Sequence, residues 1–235
     1  MKSYVPGDLS LETGYLVNKS ASAFRIKRIR ISRLAINDLY PNTAAMSSVP
    51  FQNFKSHFLI AMPSMADPSF SETLTLICEH SPQGAVGIVV NRPSTLAMSE
   101  IFRQVGIGNY DQTDISQHAV YSGGPVSQER GFVLNSGESS WDASLDICSG
   151  LQLATSTDVL VAMAEGKGPK QALVALGYAG WGAGQLEKEI SENAWLTCEA
   201  NPSIVFDTPY HLRLSTAANT LGVNLNLISD QVGHA

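Results

Sequence analysis

Residues 73–93 read TLTLICEHSPQGAVGIVVNRP, and this stretch restricts the fold more than any other. In TLTLICEH (73–80), Leu74, Leu76 and Cys78 alternate with Thr and Ile, which is the period of a strand. The turn residues SPQG then lead into a second β-rich run, AVGIVVNRP (85–93), so the spacing predicts an antiparallel hairpin. Short strands of the same kind follow along the chain. HFLIAMP is stopped by Pro63, HAVYSGGP and GFVLNSG flank the polar turn PVSQER, and residues 144–154, ALVALGYA, WLTCEA and SIVFD complete the set. Helical spacing is confined to a few segments. TLAMSEIFRQV (95–105) is capped by Ser94 or Thr95, and STDVLVAMAEG by Thr157 or Ser156 with Gly166 as its stop. Two more helices are expected over 185–193 and about 209–221. Strands outnumber helices and do not alternate regularly with them, which predicts a mixed α+β fold rather than a doubly wound parallel sheet.

The chain of 235 residues is long enough to bury a substantial core, in one large domain or two small ones. Its net charge of −6 is unevenly distributed. Residues 1–45 carry seven of the 15 Lys and Arg but only three of the 21 Asp and Glu, so the remainder has a net charge of −10. Such an acidic body repels a phosphate backbone and disfavours direct DNA reading. The basic run FRIKRIRISRL lies within residues 1–45, and three readings of that segment stand open: a disordered arm, an edge strand, or sequence upstream of a true start at Met46. Residues 46–235 are read as one domain. Cys78, Cys148 and Cys198 have no C-x-x-C spacing and are read as buried free thiols of a reducing compartment. No apolar run reaches the roughly 18 residues of a membrane span, and no apolar core follows Lys2, so a cytoplasmic protein is expected.

LGYAGWGAGQLEKEI (176–190) has the outline of a strand, a glycine turn and a helix, as in a nucleotide-binding loop. Its glycines fit neither G-x-G-x-x-G nor G-x-x-x-x-G-K-[ST], because Gln185 or Glu187 stands where the last glycine of the first pattern belongs. With Gly184 as N-cap, Glu187 falls at the third helical position and is expected to reach back to the cap, where a phosphate would sit. Leu186, Ile190 and Asn193 share one side of the helix, with Gln185, Glu189 and Glu192 adjacent to them. Trp181 is expected either to fill core or to shield that polar strip.

Catalytic signatures are absent: there is no G-x-S-x-G, no H-E-x-x-H, and no histidine pair at i, i+4. Glu79 and His80 are adjacent on a predicted strand and face opposite ways. In SGGPVSQERGFVL (122–134), Gly123-Gly124-Pro125 allows a backbone path closed to most residues. Arg130 is the best-placed cation for an acidic ligand, or for an ion pair with Glu79, Glu189 or Asp158.

Taken together, HFLIAMPSMADPSF, ICEHSPQGAVGIVVNRP, YSGGPVSQERGFVL, ATSTDVL, LGYAGWGAGQLEKEISENAWLT and the terminal VGHA resemble the AlgH/YqgE family of bacterial proteins. The resemblance runs in order from Ser56 to Ala235. It implies a complex α+β fold of bent, coiled sheets with a few flanking helices, and a role linked to transcriptional regulation. It implies no DNA-binding module and supplies no catalytic residue. The family motifs are matched at Glu79, His80, Asn91, Arg130, Asp158, Trp181, Gln185 and Glu189, which are expected to line one ligand pocket with no metal and no cofactor. The function expected is regulation through a protein partner or small ligand, with oligomeric state open. The alternative is an enzyme, such as a hydrolase, using Glu79, His80 and Arg130.

Overall fold

The structure, a computed structural model, describes residues 52–108, 118–137 and 139–228. The basic segment 1–45, most of the polar loop 106–117 and the terminal VGHA lie outside the described residues. Ten strands form one curled, mostly antiparallel sheet: β1 (His57–Ala61), β2 (Leu74–Ser81), β3 (Gly84–Val89), β4 (Pro93–Ala97), β5 (Ala119–Ser122), β6 (Val126–Asn135), β7 (Ser144–Cys148), β8 (Leu151–Ala154), β9 (Ala172–Gly182) and β10 (Trp195–Glu199). The order is β10-β1-β2-β3-β9-β6-β8-β7, with β5 joining β4 to β9 by a parallel pairing. Five helices pack on it: α1 (Met98–Val105), α2 (Asp158–Ala164), α3 (Gln185–Ser191), α4 (Pro202–Phe206) and α5 (Tyr210–Thr220). The expected α+β class and the β2–β3 hairpin are both present, the hairpin turning on two residues, Pro82 and Gln83.

Three expectations are corrected. The first helix starts at Met98 because Ser94 and Thr95 are drawn into β4, which pairs with β5. PVSQER is no open turn: all of it after Pro125 lies inside β6, where a register shift between Val126 and Gly131, with Ser127 at φ +46°, bends the strand. SIVFD forms helix α4 rather than a strand. The Asn201 side chain accepts a hydrogen bond from the Ser203 N–H, and Pro202 fills the first turn, where its missing N–H costs nothing.

The core divides into three clusters. The first lies between the sheet and α4–α5, with Phe58, Leu76, Ile88, Phe132, Leu173 and Ala175 facing Val205 and Ala217. The second holds α1 and α2 against Val120, Val133, Val174 and Leu176. The third holds α3, through Leu186, against Leu59, Ile77, Ala85, Ala179, Trp181 and Trp195.

The long strand β9 reaches all three clusters because of a change of phase at Gly177. Before it, Leu173 and Ala175 face the first cluster; after it, Tyr178 does, and Ala179 and Trp181 turn to α3. An unbroken strand would keep odd residues on one face, so Trp181 would point toward α4–α5 instead. The extra residue is Gly177, at φ +74°, opposite the shift in β6. A Cβ there would lie 2.5 Å from the Gly124 carbonyl oxygen, so the two backbones touch where a side chain has no room. Gly177→Ala is therefore expected to cost about 2–4 kcal/mol, from the backbone penalty and the clash combined. Urea unfolding checks this; a midpoint equal to that of the wild type would refute the tight crossing.

Candidate functional site

Phase changes on β2 and β9, the two strands that flank β3, bring the strongest motif residues to one face. β2 slips by one residue between Ile77 and Glu79, which pairs His80 with Ala85, and Ala85 pairs in turn with Trp181. His80 and Trp181 thus lie on the side of the sheet that α3 covers. Trp181 is core, as one of the two readings held, and the Trp181 and Trp195 indole N–H groups both donate to Glu189 Oε2 at 2.9 Å. Gln185 Nε2 donates to the other oxygen, Oε1, at 2.9 Å, while Gln185 Oε1 accepts from the Gly182 N–H at 3.0 Å. Phe70 stacks on Trp181 and meets Trp195 edge-on. One carboxylate thereby ties the end of β9, the start of β10 and both turns of α3 together.

Glu187 does not cap its helix. Gly184 is the N-cap in a left-handed conformation, with no side-chain cap bond, and Glu187 instead reaches His80, Oε1 to Nε2 at 3.3 Å. The phase shift in β2, invisible in the sequence pattern, is what delivers His80 to that carboxylate. The Phe54 N–H donates to His80 Nδ1 at 2.9 Å, so the proton of the neutral ring is on Nε2, facing Glu187. Glu79 turns the other way and pairs with Lys55 at 3.1 Å.

The remaining expected residues hold separate parts of the molecule. Asn91 Oδ1 accepts from the Leu74 N–H at 2.8 Å and its Nδ2 donates to the Glu72 carbonyl at 2.9 Å, fixing the entry to β2. Asp158 opens α2, accepting from Ser156 Oγ at 2.5 Å and from the Asp142 N–H at 2.8 Å. These contacts hold its carboxyl below the usual range although burial works against them. Arg130 is half-buried on β6, close enough to Tyr178 for its charge to act on that phenol. Glu79, Glu189 and Asp158, the partners considered for Arg130, are committed to Lys55, to the two tryptophans and to Ser156.

A concave site lies elsewhere. Between α1, α2, β5, β9 and the α4–α5 pair is a cleft of about 290 Å³, lined by Met98, His118, Tyr121, Met163, Phe206 and Arg213 among others. Its lining combines residues of the first core cluster, such as Leu173 and Val205, with Met98, Met163 and Val174 of the second. Arg213, only 6% exposed, was missed in the sequence. Its signal is the helical spacing of Arg213 with Ala217, which puts a cation on the buried face of α5. A further recess of about 260 Å³ is bordered by Arg92, Gly124 and Pro125. The Arg92 guanidinium donates there to the carbonyls of Pro68, Ser69 and Ser71. Among the described residues no group of three or more His, Cys, Asp or Glu side chains is placed to hold a metal ion.

Two outcomes follow. Glu189→Ala leaves two largely buried indole N–H groups without their acceptor and is expected to cost about 2–4 kcal/mol, with loss of near-ultraviolet tryptophan dichroism. Unchanged dichroism and stability would exclude the tie. Burial holds the His80 pKa below its ordinary value, although Glu187 pulls it back up. The unfolded chain, at about 6.5, therefore takes up the proton first, and stability present above that pH is lost as pH falls toward the folded value. His80→Gln should flatten the dependence of the urea midpoint on pH below 6.5; identical slopes in the two proteins would contradict this.

Comparison with known proteins fits this architecture. The AlgH-like family profile matches residues 58–226. A UPF0301 protein of Pseudomonas putida (strain GB-1) is 52% identical over 181 residues, covering 77% of this chain and 95% of that protein. The UPF0301 protein AlgH of Pseudomonas aeruginosa (strain PAO1) is 51% identical over 181 residues, with the same coverage of 77% and 95%. The solution structure of Pseudomonas aeruginosa AlgH superposes with a TM-score of 0.66 at 49% identity, covering 81% of this chain and all of that one. A crystal structure of a Corynebacterium diphtheriae protein shares the fold at a TM-score of 0.53 and 24% identity, over 68% of this chain and 85% of that one. The chain belongs to the AlgH-like family.

Proposed function

We propose that this is a cytoplasmic regulatory protein, linked to transcription, that acts through a small ligand or a protein partner rather than by reading DNA itself. The observation that carries the ligand part is the position of the 290 Å³ cleft on the seam between the first and second core clusters. A molecule filling it touches α1 and α2 on one side and α4 and α5 on the other. Its binding energy bears directly on how those helices pack, and this is how occupancy of a site becomes a change of surface. The net charge of −10 on residues 46–235 works against a DNA-binding face on the same body. Among the described residues no helix is long and apolar enough to cross a membrane.

The enzyme reading is not favoured. It needs Glu79, His80 and Arg130 in one cleft, but Glu79 is engaged by Lys55, and His80 is 3% exposed between the Phe54 N–H and Glu187. A nucleophile or base with no open approach has no substrate to act on.

A thermal-shift screen of small metabolites, with DNA titrations at low and high salt, tests the proposal. A saturable rise in melting temperature with at least one metabolite is expected, together with no salt-sensitive DNA affinity in a chain started at Met46. Tight DNA binding by that shortened chain, weakening steeply with salt, would overturn it.

A further inference from the structure

The Arg213 side chain gives the cleft a chemical preference. Its Nε donates to the Thr208 carbonyl at 2.9 Å and its Nη1 to the Val90 carbonyl. The guanidinium carbon lies 5.2 Å from the centre of the Tyr121 ring, which faces it as a cation–π partner. All three partners are neutral. An arginine stays protonated in a protein, so this is a fixed positive charge inside the fold. Among the described residues no carboxylate forms an ion pair with it. Buried charges are normally paired, and an unpaired one beside an opening favours an anion from solution.

The walls limit what that anion is. Met163 and Phe206 bring apolar surface to the cleft beside the guanidinium, with Met98 and Val205 buried behind them. Bare inorganic phosphate would satisfy the charge and leave these walls uncovered. At about 290 Å³ the cleft is at the small end of ligand pockets, which run from about 300 Å³ upward. Met163 conforms to a short aliphatic chain, being unbranched and deformable. We infer that the cleft binds a small organic carboxylate, its carboxylate on Arg213 and Tyr121 and its short apolar body against Met163 and Phe206. This rests on the cleft being the ligand site proposed above, and adds the class of ligand.

The probes are butyrate, its neutral isostere butanamide, and inorganic phosphate, titrated into the full-length protein with [methyl-¹³C]methionine signals observed by NMR. Butyrate is expected to shift the Met98 and Met163 methyl signals saturably, at least tenfold more tightly than butanamide or phosphate. Arg213→Gln should weaken butyrate at least tenfold. Because that residue is buried, a second variant, Ala119→Trp, blocks the cleft at an exposed rim position of β5 and should abolish the shifts while the protein stays folded. Butanamide or phosphate binding as tightly as butyrate, with the same methyl shifts, would overturn the carboxylate assignment and leave the cleft as a ligand site. If no probe moves either methyl signal, or if Ala119→Trp binds butyrate as the wild type does, the cleft assignment falls as well.

Discussion

The contact of two backbones at Gly177 and Gly124 is the constraint from which most of this architecture follows. Strand β9 pairs with β3 over residues 179–182 and with β5 and β6 over 172–176, with Val126 of β6 also meeting Tyr178 just beyond Gly177. A single residue with φ +74° adds one position to the strand and exchanges the faces of everything beyond it. Tyr178 stays with the central core while Trp181 is sent to the opposite side. Gly124, at φ +153° in the turn before β6, lies so close to Tyr178 that a Cβ would come within 2.2 Å of its carbonyl carbon. Neither position tolerates a side chain, and their mutual fit sets the curl that lets one sheet serve three clusters.

What the phase change delivers is a supported α3 helix of only seven residues. Such a helix has little stability of its own and depends on packing. Leu186 supplies the apolar anchor, and Glu189 supplies a polar one whose two oxygens accept from Trp181, Trp195 and Gln185. His80 with Glu187 fastens the opposite edge and, through the Phe54 N–H, the chain entering β1. Glu189 and both indole N–H groups have their hydrogen bonds made inside the packed cluster that holds α3. The glycine- and tryptophan-rich motif is thereby framework, and the proposed ligand site is the seam where Arg213 lies.

The strand content, the β2–β3 hairpin and helices α2, α3 and α5 were legible because each depends on local periodicity and a nearby stop such as Gly166 or Gly222. The β4 strand was not, since Ser94 and Thr95 read locally as caps and only the pairing with β5 draws them into the sheet. The fate of Glu187 was hidden for a related reason. At the third helical position it fits a capping box, but His80 reaches it through a slip in β2 that alternation alone does not reveal. Among the expected site residues, Trp181, Gln185 and Glu189 could be grouped in advance from their spacing around one helix start. Asn91 and Asp158 had no such local cue, as their partners, Leu74 and Asp142, lie 17 and 16 residues away. Arg213 was overlooked because a lone arginine in a polar-looking helix carries a signal only when Ala217 is read as its buried neighbour.

The claim that α3 and its tryptophans are framework is tested most directly by native-state hydrogen exchange of the two indole N–H protons. If Glu189 holds both within a packed cluster, the Trp181 and Trp195 indole protons exchange only through global unfolding, at the rate of core amides such as that of Leu76. If α3 is instead a mobile binding element, these protons exchange through local opening, orders of magnitude faster than the Leu76 amide, and the account is contradicted.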